Sequence, residues 1–351
     1  MANSTALDNE AGTDRSMSSG KLRVAVTGTG GPSATSLFQV LGNESIEFFA
    51  GDIDPYAAGL YMVAPGNRWI LHRGGDPRYV DDLLARCVNA RIDVLIPTTD
   101  YELLPIARRR GEFEACGIRV MLAPADAIVT CLDKARLVSF CADVCPVPRT
   151  VVLDAGTTLD DLPFPILVKP RMGSGGTGVQ RISSAAQLAA LPRNGTLIAQ
   201  EYLSGKEYSV DVLCSPTSEV LAVVPRSRLK IDSGIAVTGM TLHDERLVQY
   251  ATAVATLLGL TFVANIQFRE DASGTPRLLD VNARFPGTMP LTVAAGVNMP
   301  RLALDLALGL GVPPGIADFK ELAMTRVWRE EFFDVSEVRT LEMSAARQHL
   351  P

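Results

Sequence analysis

The sequence predicts an α/β protein in which an N-terminal doubly wound (Rossmann-like) parallel-sheet domain precedes a two-lobed α+β region. Three observations carry this reading. From Leu22 to Ala123 short apolar runs alternate with helical stretches, the pattern of a parallel sheet covered on both faces. After residue 204 the strands show the period-2 alternation of antiparallel sheets. Between these regions the apolar run Ile166, Leu167, Val168 continues into Lys169, Arg171 and a glycine-rich loop.

Residues 1–20 are rich in Ser, Asn, Asp and Gly without periodicity, which predicts a disordered tail. The domain over 21–123 opens with LRVAVTG as a buried strand, GTGGP as a turn and Ser33 to Leu41 as a helix. IEFFAGDID is a second strand, a third lies near Trp69 to Leu71, and a helix runs from Pro77 to about Asn89. IDVLIPTTD is a strand, the stretch around Glu102 to Cys116 a helix, and IRVMLA the last strand. Gly28, Gly30 and Gly31, with Asp52 ending the second strand, form a partial dinucleotide fingerprint whose third glycine position falls on Ser33. That pattern keeps a nicotinamide-dependent oxidoreductase open as an alternative. Open parallel sheets receive ligands at the carboxyl ends of their strands, so Asp54, Thr99 and Asp100 are candidate substrate contacts. Asp100 is also a candidate cap of the following helix.

A second unit covers 124–203. Pro124 to about Cys145 is helical, Leu132-Asp133-Lys134 starts a new segment within it, and the prolines of CPVP mark a linker. Thr150 to Leu203 then forms a small α/β unit with SAAQLAAL as its helix and TLIAQEYL as its last strand. A buried ammonium without a partner is costly, so Lys169 reads as emerging toward a phosphate. Gly173, Gly175, Gly176 and Gly178 can turn sharply and aim backbone N–H groups at phosphate oxygens, while Ser174 and Thr177 add hydroxyl donors. Here the lysine precedes the glycines, and VQRI resumes as a strand. The expectation is a hairpin lid over a nucleotide, with a surface hairpin and a glycine turn as the bland alternative.

The third unit covers 204–335. EYSVDVLCS, EVLAVVPRSRLKID and GIAVTGMTL alternate as antiparallel strands, covered by a helix from Asp244 to Leu258. Arg226, Arg228 and Lys230 alternate along one strand, either to hold a substrate carboxylate or as a solvated edge. FVANIQFRE and PRLLDVNARF, joined at DASGT, form a hairpin. Asp280, Asn282 and Arg284 are each two apart and project from one face, with Gln267 and Arg269 able to face them. A carboxylate and two amide oxygens suit magnesium held partly by phosphate, and the fork of Arg284 suits a terminal phosphate. A solvent-facing polar stripe is the alternative. Residues 336–351 form a tail, either a terminal helix or disordered.

The formal charge of −6 argues against nucleic acid as a partner, and the one tight basic cluster, Arg108 to Arg110, reads as facing a helix C-terminus. Six cysteines without a C-x-x-C pair, and 3 His, argue against zinc; Cys141 and Cys145 read as small core residues. No apolar run approaches a membrane span and no signal segment opens the chain, so the expectation is a cytoplasmic protein with reduced thiols and no membrane partner.

Taken together these pieces resemble the ATP-grasp superfamily, in particular the carboxylate ligases related to the synthetase halves of carbamoyl-phosphate synthetase. The resemblance covers residues 22 to about 330. It rests on Asp133-Lys134 opening a helix, FPILVKPRMGSGGTGV, QEYLSGKEYSVDVL, NIQF and LLDVNARFPGT, in that order. It implies an ATP-grasp fold for the two lobes, with Lys134 and Lys169 on the ATP phosphates and Gly173 to Gly178 as the lid. It further implies that the backbone of Gln200, Glu201, Tyr202 and Leu203 reads adenine, with Glu207 near the ribose. Gln267, Asp280 and Asn282 would be the magnesium ligands, manganese being an alternative ion, and Arg284 the phosphate-binding arginine. Asp280 departs from the family's more frequent glutamate, which favours one metal ion over a second. The reaction implied is phosphorylation of a small carboxylate by ATP and attack of an amine on the acyl phosphate, with Lys169 and Arg284 carrying the catalysis. A homodimer is the family-level expectation, and a nucleotide sensor without turnover is a further alternative.

Overall fold

In the computed structural model, which describes residues 21–42, 45–159, 162–173, 176–313, 317–327 and 329–348, the run LRVAVT forms β1 (Leu22–Thr27). The expected tail over 1–20, the loop residues Ser174 and Gly175, and residues 349–351 lie outside the described residues. Pro32 begins α1 (Pro32–Leu41), where a missing N–H costs nothing. β2 (Ile46–Asp52), β3 (Arg68–Ile70), α2 (Tyr79–Asn89) and β4 (Val94–Ile96) follow. The single helix expected around Glu102 to Cys116 is two, α3 (Asp100–Arg108) and α4 (Arg110–Ala115), broken at Arg109. Arg108 lies in the last turn of α3 with Arg109 at its C-cap, as expected of a cluster facing a helix C-terminus, while Arg109 also pairs with Asp81 at 2.6 Å and Glu112 at 2.5 Å and Arg110 donates to the Leu122 and Ala123 carbonyls. With β5 (Arg119–Val120) the strands form a parallel sheet of order β3-β2-β1-β4-β5, the doubly wound arrangement that the sequence predicts.

α5 (Ala125–Leu132) and α6 (Lys134–Cys141) are separated at Asp133, whose extended backbone ends one helix while its carboxylate caps the next, accepting from Ala135 and Arg136 N–H at 3.1 and 3.2 Å. These helices pack into the large core between the parallel sheet and the C-terminal lobe, so the small lobe begins after them and not at 124. Cys141 and Cys145 are buried in that core as expected, and burial pushes their thiols up to about 11 and about 12.

The small lobe contains β6 (Thr150–Asp154), β7 (Ile166–Pro170), β8 (Gln180–Ile182), α7 (Ala185–Ala189) and β9 (Asn194–Glu201), with an antiparallel sheet of order β6-β9-β7-β8 and its own core around Leu153, Ile166, Val168 and Leu188. The large lobe has β10 (Glu207–Cys214), β11 (Val220–Asp232), β12 (Ile235–Thr241), α8 (Glu245–Leu258), β13 (Phe262–Glu270) and β14 (Pro276–Asn282). Then come α9 (Met289–Ala294), α10 (Met299–Ala307), β15 (Ala323–Thr325) and α11 (Val335–Gln348). Its sheet runs β14-β13-β10-β11-β12-β15. The stretch left open as a helix or a tail is α11, whose Leu341 and Ala345 are buried in the N-terminal domain's second core.

Two irregularities change which side chains share a face. Between Arg228 and Lys230 the β11–β12 register slips, so Arg228 faces Gly239 while Lys230 faces Thr238. Lys230 therefore lies on the opposite face from Arg226 and Arg228, exposed, which corrects its place in the expected substrate site. A second slip at Leu279 lets Leu278 stay in the core opposite Phe268 while Asp280 stands opposite Gln267.

Gly28 shows how closely the turns after β1 and β4 pack. Its φ is +70°, and a Cβ there would lie 2.2 Å from Thr99 Cγ2 and 3.0 Å from Thr98 Oγ1. Replacing it with alanine combines left-handed strain with overpacking, so Gly28→Ala should lower stability by roughly 2–4 kcal/mol in chemical denaturation. An unchanged midpoint would show that the Thr98–Thr99 segment yields freely.

Candidate active site

Three surfaces converge: the carboxyl edge of the parallel sheet, one face of the six-stranded sheet, and β7 of the small lobe. The sheet face is built by strand register. Arg226 stands opposite Ser209, Ser209 opposite Gln267, and Gln267 opposite Asp280, so one polar row crosses four strands. The next row carries Asp211, Asn265 and Asn282, and another carries Glu207 and Arg269. The spacing Asp280, Asn282 therefore does place both side chains with Gln267 on one face.

Lys169 emerges from β7 only 8% exposed. Burial pushes its ammonium down to about 8, against the attraction of Asp280 and Glu207 and with the repulsion of Lys134. Among the described residues it forms no ion pair, so this cation faces the hairpin across the cleft without a contact partner. Lys134, the first residue of α6 and 9% exposed, donates from Nζ to the Gly173 carbonyl. Sequence reading missed how the loop's stem is fixed. Arg171 donates to both Asp133 oxygens at 2.7–3.0 Å, and Lys134 N–H donates to the Arg171 carbonyl at 3.1 Å. Burial opposes ionisation of Asp133, yet Arg171 and the two capped amides hold its carboxyl below the usual range. Gly173, Gly176 and Gly178 all take positive φ, the freedom that only glycine has at little cost, while Thr177 lies exposed beside them. The stem also borders a cleft of about 560 Å³ walled by Pro170 to Met172, Gly195 to Leu197 and Asp133. It contains neither Lys169, Asp280 nor Arg284 and is not part of this site.

Gln200 and Glu201 are the last ladder residues of β9; the Gln200 side chain donates to Thr150 Oγ1 at 2.9 Å, and Glu201 N–H to the Arg149 carbonyl. Tyr202 and Leu203 lie beyond the ladder, and Arg181 lies over the Tyr202 ring at 4.7 Å. Glu207 is gripped by Arg228 at 3.0 Å and Arg269 at 3.6 Å.

Arg226 is corrected. It is 2% exposed, pairs with Asp211 at 2.5 Å and donates to Thr288 Oγ1, so it supports the sheet from within and cannot be a freely offered substrate ligand. Arg228 has its guanidinium on Glu207, Ser209 and the Gly234 carbonyl. A residue that sequence reading passed over, Arg326, follows β15 and donates to the Gly287 carbonyl beside Thr288. No motif marks it. Asp211 was visible in principle as an acidic residue inside the apolar strand SVDVL.

At the parallel-sheet edge, Asp54 is exposed and accepts from Tyr56 N–H at 2.9 Å. Asp52 accepts from Gly30 N–H at 2.7 Å and Asp54 N–H at 3.0 Å, so the carboxylate that a dinucleotide's ribose would need is committed to its own turn. Thr99, and not Asp100, is the helix N-cap residue; Glu102 reaches back to accept from Thr98 and Thr99 N–H, each at 2.9 Å. Asp100 instead pairs with Arg284 at 2.7 Å, joining the N-terminal domain to the end of β14.

The donor set fits a hard divalent cation of modest charge demand. Asp280 supplies the one carboxylate, Gln267 and Asn282 amide oxygens, and no cluster of three or more His, Cys, Asp and Glu exists among the described residues. An ion here would complete its shell with phosphate oxygens and water.

A family model described as ATP-grasp in the biosynthetic pathway with Ter operon matches residues 193–329, and one described as PylC-like, N-terminal domain, matches residues 24–121. The chain is 30% identical over 214 residues to the carbamoyl phosphate synthase arginine-specific large chain of Geobacillus stearothermophilus, covering 56% of this chain and 20% of that one. It spans 24% of the carbamoyl phosphate synthase large chain of Thermomicrobium roseum and 16% of that of Thermoanaerobacter sp. strain X514. It is 27% identical over 269 residues to the D-alanine–D-alanine ligase of Anaeromyxobacter sp. strain Fw109-5, covering 68% of this chain and 83% of that one. The structure of N5-carboxyaminoimidazole synthetase from Staphylococcus aureus complexed with ADP shares the fold, with a TM-score of 0.68 at 14% identity over 88% of this chain and 83% of that one.

The folded value of Lys169 lies below its unfolded value of 10.5, so between about pH 8 and 10.5 the folded chain binds fewer protons and this group's contribution to stability rises with pH. A phosphate beside it reverses that shift. Binding of Mg-ATP near pH 8.5 should therefore take up a substantial fraction of one proton, up to about one, read by calorimetry in two buffers of different ionisation enthalpy. The uptake should vanish in Lys169→Met; wild-type binding without proton uptake would remove Lys169 from the phosphate site.

Proposed function

Because the chain carries an ATP-grasp domain behind a PylC-like N-terminal domain, we propose that it is an ADP-forming ligase that joins a small carboxylate, an amino acid or related metabolite, to an amine in a specialised pathway. The observation that carries the reading is Lys169, a desolvated lysine without an ion-pair partner among the described residues, set opposite the Asp280–Gln267–Asn282 face. Magnesium, or manganese in its place, would neutralise phosphate charge and polarise the transferred phosphoryl group when held by those three residues.

The remaining roles belong to the chain itself. Lys134 and Lys169 offset the charge of the phosphates, and Arg284 stabilises charge developing on the phosphoryl group as the carboxylate attacks. Gly173 to Gly178 exclude water, so that the acyl phosphate meets the amine before it hydrolyses. The backbone of Gln200, Glu201, Tyr202 and Leu203 reads the adenine, while Glu207 lies toward the ribose. The carboxylate and amine enter from the Thr99–Asp100 edge. Asp52's commitment to Gly30 and Asp54 disfavours the nicotinamide alternative. No helix among the described residues is long and apolar enough to cross a membrane.

The deciding measurement is ADP release from Mg-ATP with pooled amino acids and small carboxylic acids. Wild type should release ADP only with the pool, and Lys169→Ala should lose about a hundredfold or more of that rate. Turnover insensitive to Lys169 would overturn the assignment, as would tight binding of NADH with none of Mg-ATP.

A further inference from the structure

Arg284 is not left waiting for a ligand. Its Nε donates to Asp100 Oδ1 at 2.7 Å and its Nη2 to Asp100 Oδ2 at 3.3 Å, a fork laid on a carboxylate. Nη2 also donates to Asn282 Oδ1 at 3.1 Å. By contrast Nη1 has a 3.4 Å bond to the Phe285 carbonyl, and no closer one among the described residues. One side of the guanidinium is fixed and the Nη1 edge is loosely held. Both partners are shielded, with side chains 17% and 13% exposed, so this pair is not a freely solvated surface contact.

We propose that Asp100 is a positioning residue: it holds the Nε and Nη2 side of Arg284 so that Nη1 is presented to the terminal phosphoryl group of the nucleotide. The inference rests on the ligase reading of this site. Ordering a long side chain before the ligand arrives removes that entropic cost from binding.

Asp100 is itself rigidly placed. It is the first residue of α3, where the helix dipole favours a carboxylate, and the preceding amides of Thr98 and Thr99 are pinned by Glu102. The parallel sheet is thereby coupled to the phosphate site through one ion pair, and a substrate seated at the Thr99 edge would lie next to the residue that aims Arg284.

The test compares equilibrium affinities for MgADP and for the magnesium complex of a non-hydrolysable ATP analogue, using wild type, Asp100→Asn and Asp100→Glu. MgADP affinity should stay within about twofold in all three, because lysines, hinge and oxygen face are untouched. The preference for triphosphate over diphosphate should fall about tenfold in Asp100→Asn, the size of one charge-assisted hydrogen bond, and recover in part in Asp100→Glu. Tighter triphosphate binding by Asp100→Asn would show that Asp100 competes with phosphate, and an unchanged or absent preference would also overturn the proposal. Wild type that binds neither nucleotide removes the ligase reading and this inference together. Nucleotide binding with a triphosphate preference indifferent to Asp100 removes the inference alone.

Discussion

Asp211, with no exposed surface, accepts hydrogen bonds from Arg226 at 2.5 Å, Asn265 at 2.8 Å and Thr292 at 2.5 Å, and the site's sheet depends on this one buried carboxylate. It ties β11 and β13 to β10, and α9 to all three. Charges taken out of water are tolerated only when their hydrogen bonds are nearly complete, because desolvation offsets most of the attraction. The arrangement therefore stabilises less than it specifies: any register other than the observed one would leave Asp211 or Arg226 buried and unpaired. Neighbouring Asn282 and Gln267 inherit their positions from that register through Asn265 and Ser209.

Much of this was legible in the sequence because helices and strands obey simple periods. The parallel domain, the hairpin carrying Asp280 and Asn282, and the lysine before the glycines all follow from alternation and the cost of an unpaired ammonium. What escaped reading are places where period 2 fails. Lys230 looks like a companion of Arg226 and Arg228 until a slipped register turns it to the other face. The slip at Leu279 was equally silent, although it does not disturb the spacing from Asp280 to Asn282. Long-range pairing escaped for another reason: Arg284 to Asp100 spans 184 residues, and nothing local in either segment announces the other. Arg326 belongs to the same class, since its role follows from where β15 joins the sheet.

Domain boundaries proved hard to place because sequence marks linkers while packing decides membership. The prolines of CPVP separate α6 from β6, and α5 and α6 before them bury their apolar faces against the large core. Lys134 is consequently carried by the large body and Lys169 by the small lobe. The Arg171–Asp133 fork and the Lys134 contact with Gly173 are then bonds between two bodies, which explains why a capping residue is also a tether.

The modest acidity of the oxygen set follows from the same electrostatics. Lys169 remains a strong attractor for an anion because burial outweighs the pull of Asp280 and Glu207, and Glu207 is already shared by Arg228 and Arg269. A second carboxylate at position 267 or 282 would strengthen metal binding, yet it would also draw the Lys169 ammonium into an internal ion pair. That pair would have to break before a phosphate could bind. Amides at both positions would avoid the conflict, offering oxygen to a cation without competing for the lysine. The departure at Asp280, one methylene shorter than glutamate, acts in the same direction by holding the lone carboxylate back on its own strand, where it accepts from the Val281 N–H at 3.1 Å.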